Sequence, residues 1–277
     1  MNINAYKTPQ QFLDDTELIL EQKEIENNLI LGICNGIADK TAEFKDSVFI
    51  NCFDDQQIQA TSIKTISKAI VAGTTSNAAH IKALADYYLD RQIDLTGIIG
   101  ESFYASSFSK FYGKNQVDEA TLIIHQLTSV NDLPLKSGNL VIANEDDIEL
   151  VTDWTIKFEE DAQTFPQKPR GQILLSTRNM IASGRIFKWV DQDEIVSIAA
   201  IVRKTKNAGI VGLVYTPDQW RSRGYATSCV QKLSEYILQN GLKYCALFTD
   251  ASNPTPNNIY RKIGYVPITE FKDIKFE

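Results

Sequence analysis

Residues 215–237 read YTPDQWRSRGYATSCVQKLSEYI. The stretch leaves a strand, passes a proline and two arginines, bends at Gly224 and continues as a helix. From Gly224 on, Ala226, Cys229, Val230, Leu233 and Ile237 recur at helical spacing and form an apolar stripe. A helix N-terminus offers unpaired backbone N–H groups and the positive end of the helix dipole. Gly224 lets backbone approach a ligand closely, and Arg221 and Arg223 add cationic side chains. Together these make an anion site that suits a pyrophosphate. A plain turn with two solvated arginines explains the same letters, so the surrounding chain has to decide.

The chain has 277 residues, enough for one large domain or two smaller ones. Its 28 basic and 35 acidic residues leave a net charge of -7, which argues against a nucleic-acid or membrane partner across the surface. Only two histidines occur, His80 and His125, so a histidine-based metal site or triad is not expected and no metal is. Cys34, Cys52, Cys229 and Cys245 form no CxxC and sit in or beside apolar stretches, as small core residues do in a reducing compartment. The N-terminal MNINAYKTPQQFLDD lacks an apolar signal core, and no run is long enough to span a membrane. The expected location is the cytoplasm.

Apolar periodicity predicts two helices within 9–39, a strand pair at 47–53 and 59–65, and a helix in SNAAHIKALADYYL with Ser76 as its N-cap. A buried strand follows in LTGIIG, then a helix 101–113 stopped by Gly113, then a strand in QVDEATLIIHQL. The polar NDLPLKSGN, 131–139, reads as a linker. Beyond it the order is β-α-α-β-β-β-α-β-α-β, with a break at FPQKPR and a last strand in FKDIKFE. The first half has a looser version of this order. The expected class is α+β with a mixed sheet.

Arg221-x-x-Gly224-x-Ala226 after the strand GIVGLVYT resembles the acetyl-CoA-binding motif of the GNAT-type N-acetyltransferases, Arg/Gln-x-x-Gly-x-Gly/Ala. Asn253, Tyr260 and Gly264 in NPTPNNIYRKIGY stand at that family's spacing for its Asn, its Tyr and the Gly before an aromatic. The departures are Pro256, where the family often has Ala or Ser, and Ala226, where many members have Gly; neither removes a group the chemistry needs. VYTPDQWRSRGYA also resembles a bacterial subgroup whose members carry a degenerate GNAT-like half ahead of the active one.

The resemblance implies a GNAT-like acyl-CoA N-acyltransferase fold in two tandem halves: a degenerate half at 1–130, a linker at 131–138 and an acetyl-CoA-binding domain at 139–277. It implies direct transfer of an acetyl group from acetyl-CoA, as co-substrate, to a primary amine of a small molecule or peptide; the alternative is a catalytically weak acyl-CoA-binding or sensing protein. It places the pyrophosphate on the amides of Ser222, Arg223, Gly224, Tyr225, Ala226 and Thr227, with Arg221 and Arg223 beside it. The pantetheine arm would lie along Leu213, Val214 and Tyr215 like an added strand, with Asn253 bonding the arm or a strand end. Tyr260 stands where the family's thiolate-protonating acid stands, or packs as an aromatic on the sheet. Glu159, Glu160 and Glu194 are candidate bases, each also readable as a solvated carboxylate. Trp154 and Phe158 either line an acceptor pocket or pack in the core. A homodimer is compatible with this reading.

Overall fold

The computed structural model describes residues 1–38, 46–162 and 168–277. Its contacts gather into two compact units: Met1–His125 with Phe248–Pro254 and Pro267–Glu277, and Gln126–Leu247 with Thr255–Val266.

The first unit holds strands β1 (Asn2–Tyr6), β2 (Val48–Asp54), β3 (Gln57–Thr65), β4 (Lys68–Gly73), β5 (Gly97–Glu101) and β6 (Gln116–Leu127), and helices α1 (Pro9–Leu20), α2 (Asn28–Ala38), α3 (Ala78–Asp90) and α4 (Ser102–Tyr112). Its strand order is β1-β2-β3-β4-β5-β12-β6, where β12 is the chain's last strand, Val266–Phe276. Period-2 alternation along these strands feeds two cores. Phe49, Ile63 and Ile70 meet Phe12, Leu13, Leu20, Ile30 and Leu31 of α1 and α2. Ile50, Val71 and Ile98 meet Ile81, Leu84, Tyr88 and Phe108 of α3 and α4. α1 starts at Thr8, whose hydroxyl accepts from Gln11 N–H, with Pro9 in the first turn. α3 is capped by Asn77, one residue past the expected Ser76. Gly113 ends α4 at φ 74, as its position predicts.

The second unit holds β7 (Asn139–Ile142), β8 (Ile186–Asp191), β9 (Glu194–Lys204), β10 (Ala208–Tyr215) and the start of β11 (Tyr244–Asp250), in the order β11-β10-β9-β8-β7. On one face α5 (Ile148–Asp161) and α6 (Arg170–Ala182) bring Val151, Trp154 and Ile181 onto Ile198, Ala200 and Leu213. On the other, α7 (Tyr225–Gln239) and α8 (Pro254–Ile263) bring Cys229, Val230, Leu233, Ile237 and Ile263 onto Phe187, Trp189, Val196, Ala199 and Val211. Of the break expected at FPQKPR, residues 165–167 lie outside the described residues. All four cysteines are buried and unbridged. Burial pushes the Cys34, Cys229 and Cys245 thiols up to about 12.

Three expectations change. β1 and β4 are strands that the periodicity did not single out; both are short, and β1 reads as a polar NINAY. The stretch 131–138, expected as a linker, is strapped to the second unit. Asn131 N–H donates to Ile263 O (2.8 Å) and Lys136 N–H to Ser228 Oγ (2.9 Å). Ser137 Oγ donates to Asp191 Oδ2 (2.8 Å), and Trp189 Nε1 to Ser137 O (2.8 Å). Lastly, the units do not follow the expected 1–130 and 139–277 division. β12 pairs antiparallel with β5, from Phe271↔Glu101 to Lys275↔Gly97, and buries Ile274 and Phe276 in the first unit's core. Lys68 Nζ holds Asp273 Oδ1 at 2.6 Å on that strand.

The tail therefore carries core of the first unit. Ile274→Ala should cost about 2–5 kcal/mol, the range for truncating a fully buried aliphatic side chain. Denaturant unfolding checks this, and a midpoint equal to the parent's would show that β12 adds little.

Candidate functional site

The site is built where β10 parts from β11. The two strands pair in parallel only from Ala208↔Tyr244 to Ile210↔Ala246. From Val211 onward the β11 side of β10 has no strand partner among the described residues. On its other side β10 pairs with β9 through Gly212↔Ala200, then shifts register to Tyr215↔Ile198. The shift is a bulge at Leu213, held at φ 49. Ser197 Oγ donates to Tyr215 O (3.1 Å) and meets Thr216 Oγ1 at 2.8 Å, which fixes the strand end. Leu213, Val214 and Tyr215 thus lie together on a strand edge that can accept an added extended chain.

After Pro217 the chain makes a 3-10 turn at Asp218–Trp220 and reaches the loop. Ser222 and Gly224 are both left-handed, at φ 59 and φ 88. The turn delivers the backbone into α7, whose first helical bond is Ser228 N–H to Gly224 O (3.1 Å). The amides of Tyr225, Ala226 and Thr227 precede that bond and point out of the helix start. Backbone N–H groups in such a turn form a concave anion cradle.

The side chains around the cradle differ from the reading of the sequence. Arg221 is already committed: its Nε donates to Thr216 O (2.9 Å), and its guanidinium pairs with Asp161 (2.6 Å) and Asp218 (2.9 Å). Those carboxylates raise its pKa while burial opposes them. Arg223 stacks its guanidinium 4.9 Å from the Trp220 ring. Lys136, from the supposed linker, lays its stem over Gly224. A methyl group there would stand 2.9 Å from Lys136 Cε. No local signal announces this contact, because 92 residues separate Lys136 from the Ser228 hydroxyl that anchors its amide. Tyr225 does not line an anion site through its hydroxyl, which donates to Asp191 Oδ2 at 2.6 Å.

Tyr260 sits on α8, half-buried, its ring edge-on to Tyr265 at 5.8 Å. Burial pushes its phenol well above the ordinary value, with the neighbouring Cys229 adding to the effect. Its hydroxyl has no hydrogen-bond partner among the described residues. It is therefore a protonated donor at any physiological pH. Asn253 precedes α8 in the stretch 248–254 that packs with the first unit, where its N–H donates to Asp250 O (3.1 Å). Among the base candidates, Glu159 is paired with Lys168 (2.8 Å), while Glu160 and Glu194 are exposed. Trp154 and Phe158 belong to the core under α5, with Trp154 5.7 Å from the Tyr215 ring.

In the first unit the comparable strand end is closed. β4 pairs in parallel with β5 as far as Val71↔Gly100, two residues short of its end. There Tyr104 OH donates to Gly73 O (2.9 Å), and a methyl group on Gly73 would stand 2.7 Å from the Tyr104 ring.

Residues 190–272 match the model of a family described as FR47-like protein. No curated protein matches the chain. Solved structures match along its length. One is an acetyltransferase of the GNAT family from Colwellia psychrerythraea, 10% identical, covering 100% of both chains, with a TM-score of 0.62. Another is a GCN5-related N-acetyltransferase from Sphaerobacter thermophilus, 15% identical, covering 99% of this chain and 95% of that one, at 0.63. A third is a tandem GNAT protein from the clavulanic acid biosynthesis pathway, 11% identical, covering 99% and 98%, at 0.63. The chain has the fold of these GNAT proteins.

Asp191 ties the strap to α7 through Ser137 and Tyr225. The Tyr225 hydroxyl, then the Ser137 hydroxyl, hold its carboxyl below the usual carboxylate range. A depressed folded pKa contributes stability above the unfolded value of about 3.9, and that contribution is lost as pH falls through the folded value. Asp191→Asn should therefore flatten the acid limb of a melting-temperature profile below about pH 4. An unchanged limb would show that the tie carries no linkage.

Proposed function

We propose that the chain transfers an acetyl group from acetyl-CoA to a primary amine of a small molecule or peptide, at one site in the second unit. The observation that carries this reading is the divergence of β10 and β11 at Ile210↔Ala246, beside the cradle at 222–227. An open strand edge suits the amide-bearing pantetheine arm, and the cradle suits a pyrophosphate. Gly224 lacks the Cβ that would crowd Lys136 beside the cradle. Lys136 and Arg223 are the cations left to meet the anion, since Arg221 is held by two carboxylates.

Acetyl-CoA supplies a thioester carbonyl. The neutral amine nitrogen bonds to that carbon, the carbon–sulfur bond breaks, the nitrogen gives up a proton to water, and the thiolate takes one. The bulged segment at Leu213–Val214 presents backbone groups out of register with β9, available to orient the carbonyl and the developing oxyanion. Tyr260 donates the proton: its raised pKa keeps the phenol protonated, and its hydroxyl is not spent on another partner. The remainder of the rate comes from orientation. The first unit is a GNAT-like half without its own cofactor, because Tyr104 occupies the strand end that such an arm would need.

Calorimetry with acetyl-CoA should give one site per chain. A stoichiometry near two would restore a site to the first unit. In a thiol-release assay over a panel of amines, Tyr260→Phe should lower kcat on the order of 10²-fold, the low end for general acid catalysis, because a thiolate is already a fair leaving group. Affinity for acetyl-CoA should stay near the parent's. Equal losses in rate and affinity would assign Tyr260 to binding instead.

A further inference from the structure

The first unit holds a hydroxyl, an imidazole and a carboxylate in line, and acyl transfer in the second unit uses none of them. Thr75 lies in the turn between β4 and α3, His80 in the first turn of α3, and Asp54 at the end of β2. His80 Nε2 is 3.2 Å from Asp54 Oδ2, and His80 Nδ1 is 3.3 Å from Thr75 Oγ1. A chain with two histidines does not announce such a set; the fold builds it around one of them from residues 26 and 5 positions away.

The carboxylate fixes the tautomer. An ionised carboxylate only accepts, so Nε2 carries the ring proton and donates it to Asp54. Nδ1 then presents a lone pair, and the Thr75 hydroxyl donates to it. Hydroxyl, base and a third group that orients the base are the parts of an activated nucleophile. His80 is buried, 5% exposed, so its ring keeps one orientation, while Thr75 is exposed and open to solutes. The residue before Thr75 is pinned: Thr74 N–H donates to Gln59 O (2.9 Å) and its hydroxyl to Ile58 O (3.3 Å). Thr75 Oγ1 has no other partner among the described residues. The turn leads into α3, capped at Asn77, and the start of a helix favours developing negative charge.

We propose that Thr75 is the nucleophile of a second reaction, the hydrolysis of small activated acyl esters, with His80 as its base and Asp54 positioning His80. Thr75 Oγ bonds to the ester carbonyl carbon as its proton passes to His80 Nδ1. The bond to the leaving oxygen breaks, and that oxygen takes the proton from Nδ1. Water then attacks the acyl-Thr75 ester; Nδ1 takes a proton from the water and returns it to Thr75 Oγ as the acid departs. An exposed nucleophile gains little from substrate binding, so the reactivity of the ester itself has to contribute. The substrates are therefore short acyl groups on acidic alcohols. The site is separate from the cradle on α7 and does not depend on the acyl-transfer reading.

The test is turnover of para-nitrophenyl acetate by the full chain, read after the initial burst has consumed reactive surface amines, with the acetyl group mapped by peptide mass spectrometry of quenched enzyme. Sustained turnover and acetyl on Thr75 are expected. Thr75→Val should lower turnover on the order of 10²-fold, the lower end for a positioned base, and Thr75→Ser should keep it. Asp54→Asn, at a side chain 45% exposed, should lower turnover with the melting temperature little changed, a split that a purely structural carboxylate would not give. No turnover in the parent, turnover kept by Thr75→Val, or acetyl recovered only on other side chains overturns the proposal. Turnover unaltered by Asp54→Asn overturns it as well.

Discussion

The separation of two parallel strands after three residue pairs is the constraint on which the second unit depends. Parallel strands buried between helices normally stay paired, because each unmatched backbone group costs free energy. Here β10 leaves β11 at Ile210 and is then held from the other side alone. A bulge at Leu213 and the Ser197 hydroxyl on Tyr215 O replace the regular ladder. The helix α7 starts at the end of the same strand, so its first-turn amides and the open edge share one origin. Strand edge and first-turn amides are consequences of one local choice rather than two separate features.

Charge around that choice is arranged by pairing more than by excess. Arg221 looks in the sequence like an anion receptor, but Asp161 and Asp218 claim it, and its Nε fastens the loop to Thr216 O. Its work is to hold the loop's shape. Lys136 reaches the cradle from a strap that is itself pinned by Ser228, Asp191 and Trp189. A cation on a strap keeps its place because several bonds share the ordering entropy that a lone surface lysine would bear by itself.

The strongly periodic elements were legible from the letters. α3, α4 and α7 each show a stripe that packs as written, and Gly113 and Gly224 mark a helix end and a helix start through the left-handed backbone they adopt. Elements with little apolar content were not legible: NINAY carries no alternation strong enough to announce β1. Partners distant in sequence were also hidden. Nothing in FKDIKFE says that it will pair with GIIGE, and nothing in Arg221 says which carboxylates will take it. The linker reading failed for a related reason. Turn-forming residues report a lack of regular structure, and a strap lacks regular structure while remaining fully bonded.

The placement of β12 has an outcome in time. Its residues stand between β5 and β6 in the first unit's order, yet they are synthesised long after both. A chain emerging from the ribosome exposes β5 and the Tyr112 face of its core well before Ile274 and Phe276 arrive to cover them. N-terminal regions ordinarily fold first during synthesis. In this protein the N-terminal unit is the one that must wait, and its closing contacts span most of the chain. Such contacts are entropically slow to form. The earlier-made strands therefore form a body that a much later strand has to complete.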